Sequence, residues 1–267
     1  GVSDTGSSVH TNTSATGGEY FFRIDTENAD LGMWRTALRV IGGEANLYLR
    51  QGALPTVSAY DYRSDLTGSD GVVRPLSGGA GQIWYILVKA TAGAQWTLLS
   101  GDIFVTDLGP LAAGDSSGSG LISVPPEGIR YFKTTMPTET LAWRLWLQNA
   151  AGTATWSSNF QVRKALAPHP ESASYYDFSR TGQTLLVPGY LVAGGSEIYY
   201  LSVPGSPGDS FRLDSRQQAV TGLAYGSTTT NTMLDGFLYH TYSVPVPAEQ
   251  KAWQVSVIPV SGNPDFA

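Results

Sequence analysis

Hydrophobic residues in this chain alternate with polar ones over short runs, and one run recurs. Trp34, Thr36, Leu38 and Val40 share one parity, and Arg35, Ala37 and Arg39 share the other. Side chains alternate across a β-strand, so this spacing predicts a strand with one face on a core. Gly42-Gly43 predicts a turn, and Asn46-Leu47-Tyr48-Leu49-Arg50 a second strand. The same pair returns as Trp143-Arg144-Leu145-Trp146-Leu147, Gly152 and Asn159-Phe160-Gln161-Val162-Arg163. It returns again as Trp253-Gln254-Val255-Ser256-Val257, Gly262 and Asp265-Phe266-Ala267. The spacing of about 110 residues predicts a tandem array whose third unit is incomplete. The matched tryptophans are expected in the core.

Other runs repeat in the same order. Glu19-Tyr20-Phe21-Phe22-Arg23-Ile24-Asp25 has counterparts at Arg130-Tyr131-Phe132-Lys133 and Leu238-Tyr239-His240-Thr241-Tyr242. Ile83-Trp84-Tyr85-Ile86-Leu87-Val88 aligns with Ile198-Tyr199-Tyr200-Leu201-Ser202-Val203. Ser202 opposite Leu87 marks the outer parity, so Trp84, Ile86, Val88, Tyr199, Leu201 and Val203 are expected inside. Trp96 and Phe211 read as core of a following strand. Asp61 and Asp177 recur between aromatics, where a short carboxylate either caps a turn or meets a ligand. No helical period appears anywhere.

These runs predict an all-β chain of tandem β-sandwich units, jelly-roll or Ig-like. The expected divisions are a Gly/Ser/Thr-rich lead-in at 1–17 (linker or edge strand) and a first sandwich at 18–106. A linker at 107–127 and a second sandwich at 128–222 follow. A linker at 223–235 then leads to the first strands of a third unit at 236–267.

Composition sharpens the class. Among 267 residues there are 31 Gly and 15 Pro, and only 14% are charged, which suits a secreted protein. A net charge of −6 with no basic cluster argues against nucleic acid. The chain has no Cys, so disulfides, thiolate metal sites and a Cys nucleophile are excluded. An extracellular protein without disulfides points to a bacterial source. No apolar run approaches the roughly 20 residues of a membrane-spanning helix. A chain opening on Gly1 reads as a mature or excised piece of something longer.

The order Tyr-Phe-Phe-Arg-Ile, Trp strand, Asn-Leu-Tyr-Leu-Arg, Tyr-Asp-Tyr-Arg-Ser, Gly-Gln-Ile-Trp-Tyr-Ile-Leu-Val, Trp-Thr-Leu resembles the bacterial pre-peptidase C-terminal (PPC) domain. The resemblance covers roughly 18–106, 128–222 and the start of a unit from 236. It implies small β-sandwiches appended to secreted exoenzymes, without catalysis of their own. Some relatives bind calcium through acidic residues near the unit start. The first unit offers Asp25, Glu27 and Asp30 there, whereas the second offers Thr134, Thr135 and Thr138. A repeated calcium site is therefore not expected, and no cofactor is.

Catalytic motifs are thin. Asp4-Thr5-Gly6-Ser7-Ser8 matches half of an aspartic peptidase site, but that chemistry needs a second such carboxylate, and none exists. Gly114-Asp115-Ser116-Ser117-Gly118 resembles a serine-peptidase loop, yet His10, His169 and His240 are too scattered for a triad or a zinc site. Asn12-Thr13-Ser14 is a glycosylation sequon.

The aromatics that do not repeat carry the ligand expectation. Trp146 takes the outer-face place of Ala37, beside Arg144. Trp156 lies in an insertion, and Tyr175 is close in sequence. Exposed aromatics signal contact, so Trp146, Trp156, Tyr175 and Arg144 are expected to meet a polysaccharide or a protein. Two functions follow: an extracellular accessory array holding an enzyme or cell near its substrate, or a fibre repeat. In the second, the cut unit at 236–267 self-associates by strand pairing between chains.

Overall fold

The alternating runs fold as strands, and among the described residues none is helical. The computed structural model describes residues 8–26, 33–75, 82–111, 120–125, 128–138, 140–152, 155–168, 176–186, 197–231 and 239–260. It divides into two bodies, Gly1–Gln218 and Ala219–Ala267.

The first body opens with β1 (Ser8–Ser14), β2 (Gly18–Thr26), β3 (Met33–Gly42), β4 (Ala45–Gln51), β5 (Tyr62–Ser64), β6 (Asp70–Pro75), β7 (Gln82–Ala90) and β8 (Ala94–Asp102). These form two sheets, ordered β1-β8-β3-β6 and β2-β7-β4-β5. It continues with β9 (Val105–Pro110), β10 (Ile122–Ser123), β11 (Ile129–Met136), β12 (Trp143–Asn149) and β13 (Asn159–Lys164). Then come β14 (Phe178–Thr181), β15 (Gln183–Leu186), β16 (Glu197–Pro204) and β17 (Ser210–Gln217). The two further sheets are β10-β17-β12-β15 and β14-β13-β16-β11-β9. Without β9, the strand orders of the two pairs are the same.

Each pair encloses its own core. Trp34, Leu38, Leu47, Leu49, Trp84, Ile86, Val88, Trp96 and Leu98 fill the first. Phe132, Trp143, Leu145, Leu147, Phe160, Val162, Tyr199, Leu201, Val203, Phe211 and Leu213 fill the second. The parity read from the Trp strands is the parity that packs. The matched tryptophans find their acceptors alike in both. The Trp34 indole N–H donates to Ser100 Oγ at 2.7 Å, and that of Trp143 donates to Ser215 Oγ at 3.0 Å. A buried indole N–H without an acceptor would cost about 1–3 kcal/mol.

Asp61 and Asp177 turn out to be caps. Asp61 Oδ2 accepts the Gln51 N–H and Asp177 Oδ2 the Lys164 N–H, each at 2.8 Å. The backbone N–H groups of the same two aspartates donate to Leu49 O and Val162 O. The residue following each capped N–H also matches: Gly52 at φ 71° and Ala165 at φ 62°.

Three expectations change. Leu87 and Ser202, read as outward, are buried, because Phe21 and Tyr48 flank Leu87 while Gln161 accepts the Ser202 hydroxyl. The linker predicted at 107–127 begins inside β9, which pairs in parallel with β11, Val105 opposite Tyr131. Finally, the only strand described within 236–267 is β19 (Thr241–Ser243), paired in parallel with β18 (Val220–Gly222). Residues 244–260 form no strand, and Trp253 is 52% exposed. In the complete copies the Trp strand is held by a neighbour on each edge, β8 and β6 or β17 and β15. An isolated segment has no such ladder to join.

Candidate functional site

Trp143, Leu145 and Leu147 enter the core, so Arg144 and Trp146 project from the other face of β12. β17 presents Asp214 opposite Trp146 and Arg216 opposite Arg144. The side chains converge there. Arg144 Nη2 lies 2.9 Å from Asp214 Oδ2, and Arg216 Nε lies 3.1 Å from Asp214 Oδ1. The Arg144 guanidinium carbon stands 5.3 Å from the Trp146 ring centroid. The Trp146 indole N–H donates to Thr155 Oγ1 at 3.0 Å.

This cluster is sealed. Trp146 is 5% and Arg144 4% exposed, which overturns the expectation that they stand on an open surface. Sequence parity said only that Trp146 leaves the first core, and a sheet has a second face that can also be covered. Trp156 goes the opposite way. It is half-buried against the core of the second sheet pair, its ring stacked on Phe211 at 4.9 Å with an interplanar angle of 6°. Its backbone N–H donates to Leu147 O at 2.9 Å. Trp146 and Trp156 thus lie on opposite faces of one sheet and make no common platform for a sugar ring. Tyr175 lies outside the described residues.

A second buried carboxylate escaped sequence reading. Asp70 opens β6 and is fully buried. Its Oδ1 accepts the Ser64 hydroxyl at 2.8 Å and the Leu66 N–H at 3.1 Å. Ser64 Oγ in turn accepts the Gly71 N–H. The Oδ2 atom has no partner. Burial disfavours the charged form and pushes the carboxyl up to about 6, against the two hydrogen bonds that lower it. The signal available in the sequence was Ser64 and Asp70 bracketing a Gly68 turn.

The remaining candidates are dispersed. Asp25 forms an ion pair with Arg23 at 3.0 Å; Glu27 and Asp30 lie outside the described residues, as do Asp4, Asp115 and His169. Thr134 donates its hydroxyl to Gly109 O. His10 packs on Phe22, ring centroids 4.9 Å apart, and His240 Nδ1 lies 3.0 Å from Asn231 Nδ2. Among the described residues no group of three or more His, Asp or Glu is arranged to hold a metal ion. Among the described residues there is no helix long and apolar enough to cross a membrane. In sharp contrast to Trp146, the outlying run is open: Trp253, Val255, Val257, Ile258 and Val260 are all exposed.

No protein-family sequence model matches the chain, and no curated protein matches it. Among solved structures it is similar to the glycoside hydrolase domain of Endo-D from Streptococcus pneumoniae R6. There the identity is 12%, 79% of this chain and 33% of that chain are covered, and the TM-score is 0.24. It is also similar to the CUB1-EGF-CUB2 domains of rat MASP-1, at 8% identity, 78% and 97% coverage and a TM-score of 0.21. The N-terminal CBM22-1-CBM22-2 tandem domain of Paenibacillus barcinonensis Xyn10C matches at 11% identity, 78% and 90% coverage and a TM-score of 0.15. The chain spans a third of the first of these, and at such scores none of them transfers a function to this all-β chain of paired sheets.

Proposed function

We propose that this chain is a non-catalytic extracellular array of PPC-like β-sandwich units, a structural and accessory segment that acts through protein contact by strand pairing. The observation that carries the reading is the state of the third Trp run. Trp34 and Trp143 are almost wholly buried, each on a serine of a neighbouring strand. Trp253, Val255 and Val257 repeat that spacing with their apolar face open. Exposed alternating apolar residues with free backbone edges are a template for another strand. The buried Arg144–Asp214–Trp146 cluster supports contact with protein over stacking on polysaccharide, because the expected indole platform is enclosed.

The test replaces Trp253, Val255 and Val257 with Asp in the full chain and follows mass against concentration by analytical ultracentrifugation. The unsubstituted chain should associate with rising concentration, and the triple variant should stay monomeric. A monomeric unsubstituted chain at hundreds of micromolar, or retention on an insoluble polysaccharide that the Asp substitutions leave intact, would reject the reading.

A further inference from the structure

The segment joining the two sheet pairs is itself repeated. Val105-Thr106-Asp107-Leu108-Gly109 and Val220-Thr221-Gly222-Leu223-Ala224 share the pattern Val-Thr-x-Leu-small. Both follow a β8-type strand after the same short gap. Both add in parallel to the strand that opens the next unit, Val105 opposite Tyr131 and Val220 opposite Thr241. Tyr131 and Thr241 are themselves about 110 residues apart. Each unit therefore hands a strand forward to the edge of the next.

In the second sheet pair this donated strand comes with an apolar seal. Met33, Ile103 and Val105 from the first pair pack with Ile129, Tyr131, Ala167 and Tyr200 of the second. Ile103 N–H is tied to Met33 O at 2.9 Å. Lys133 Nζ pairs with Asp107 Oδ2 at 3.0 Å. Tyr131 is left 4% exposed.

The first sheet pair has the same acceptor face with nothing described on it. β2 is the counterpart of β11: Phe21 pairs with Leu87 as Tyr131 pairs with Ser202. In its sheet β2 is an outer strand, where β11 has β9 beyond it. Phe21 stands in the place of Tyr131 and Leu54 in the place of Ala167, and they are 45% and 54% exposed. Tyr85 corresponds to half-buried Tyr200. Arg23 stands in the place of Lys133, with its guanidinium exposed and held by Asp25.

We propose that the open edge of β2, with Phe21, Leu54, Tyr85 and Arg23, is a docking site for the Val-Thr-Asp-Leu strand of another unit of this kind. The strand lies parallel to β2, its Val opposite Phe21 and its Asp facing Arg23. An unpaired edge supplies the backbone hydrogen bonds, and the alternate side chains set the register. The acidic residue on the donor and the basic one on the acceptor fix orientation. The array is thereby extended head to tail, the Val-Thr-x-Leu strand of one unit on the opening edge of the next.

A fluorescently labelled peptide of the sequence Ile103–Pro110 is titrated with the full 267-residue chain, and anisotropy is read. Saturable binding is expected, weakened about tenfold or more by Phe21→Asp, since a charge would enter the apolar seal. Arg23→Asp should weaken it by a few-fold, and a peptide carrying Asp107→Lys should recover that loss. Absence of saturable binding at millimolar chain would overturn the proposal. So would binding that Phe21→Asp leaves unchanged, or binding abolished by Trp253→Asp instead, which would place the peptide on the other open run.

Discussion

Asp70 ties the packing of the first sheet pair to pH. Its carboxyl is fully buried with Oδ2 unpartnered, and burial raises it from 3.8 to about 6. The unfolded chain releases this proton near 3.8 and the folded chain holds it to about 6. Between those values the folded state binds more protons, so stability contributed by this group is present at low pH and falls as pH rises. At about 1.4 kcal/mol per unit the whole shift is worth about 3 kcal/mol, of which about 2.4 kcal/mol is lost between pH 4 and pH 7. Asp70→Asn keeps the Oδ1 acceptor for Ser64 and Leu66 and abolishes the titration. Its amide inherits the unpartnered Oδ2 position, which costs about 1–3 kcal/mol. The absolute stability at pH 7 should therefore change little, while the difference between the two proteins should shift by about 2.4 kcal/mol across the range. Other carboxylates, including Asp107, whose hydrogen bonds to the Gly109 N–H and Lys133 hold it down, cancel in that difference. Urea denaturation of both proteins from pH 4 to pH 7 supplies the measurement. Parallel stability curves, agreeing within about 0.5 kcal/mol throughout, would refute a buried charged Asp70.

Two other predictions concern residues that fold the chain. Arg144→Ala removes one of the two cations on the buried Asp214 carboxylate and leaves Arg216, so it should cost about 1.5–3 kcal/mol in chemical denaturation, without salt dependence of the surface-pair kind; a loss below about 1 kcal/mol would mean that the cluster is open to water. Ala165 occupies a left-handed conformation that costs an L-residue about 1–2 kcal/mol. Ala165→Gly, copying Gly52, should therefore raise stability by up to about 1 kcal/mol after glycine's entropy is subtracted, visible as a higher urea midpoint.

The first two Trp runs were legible because a strand reports its faces through a period of two, whereas the run at Trp253 forms no strand and stays exposed. Trp34, Trp143, Trp84 and Tyr199 each sit where that period puts them. The caps at Asp61 and Asp177 were legible as a repeated choice between two roles, and the backbone geometry chose turn capping. Trp146 was misjudged because alternation distinguishes two faces without saying that one is wet. Only the register of β12 with β17 brings Asp214 and Arg216 to Arg144 and lets Trp146 be enclosed. β9 and β18 were passed over inside Gly-rich stretches. Their repeated Val-Thr-x-Leu was a usable signal, but a parallel partner lies far along the chain and no hairpin turn announces it.

By itself the sequence determined that this is an all-β chain, that its Trp runs recur at one spacing, and which parity of each main strand is apolar. These are local properties, set by side-chain alternation and by the absence of any helical period. Tertiary structure decided which apolar residues are covered: Trp143 and Trp146 enclosed on opposite faces, Trp253 and Phe21 open. Burial depends on a second strand arriving in register, and that partner comes from distant parts of the chain, so no short window of sequence contains it.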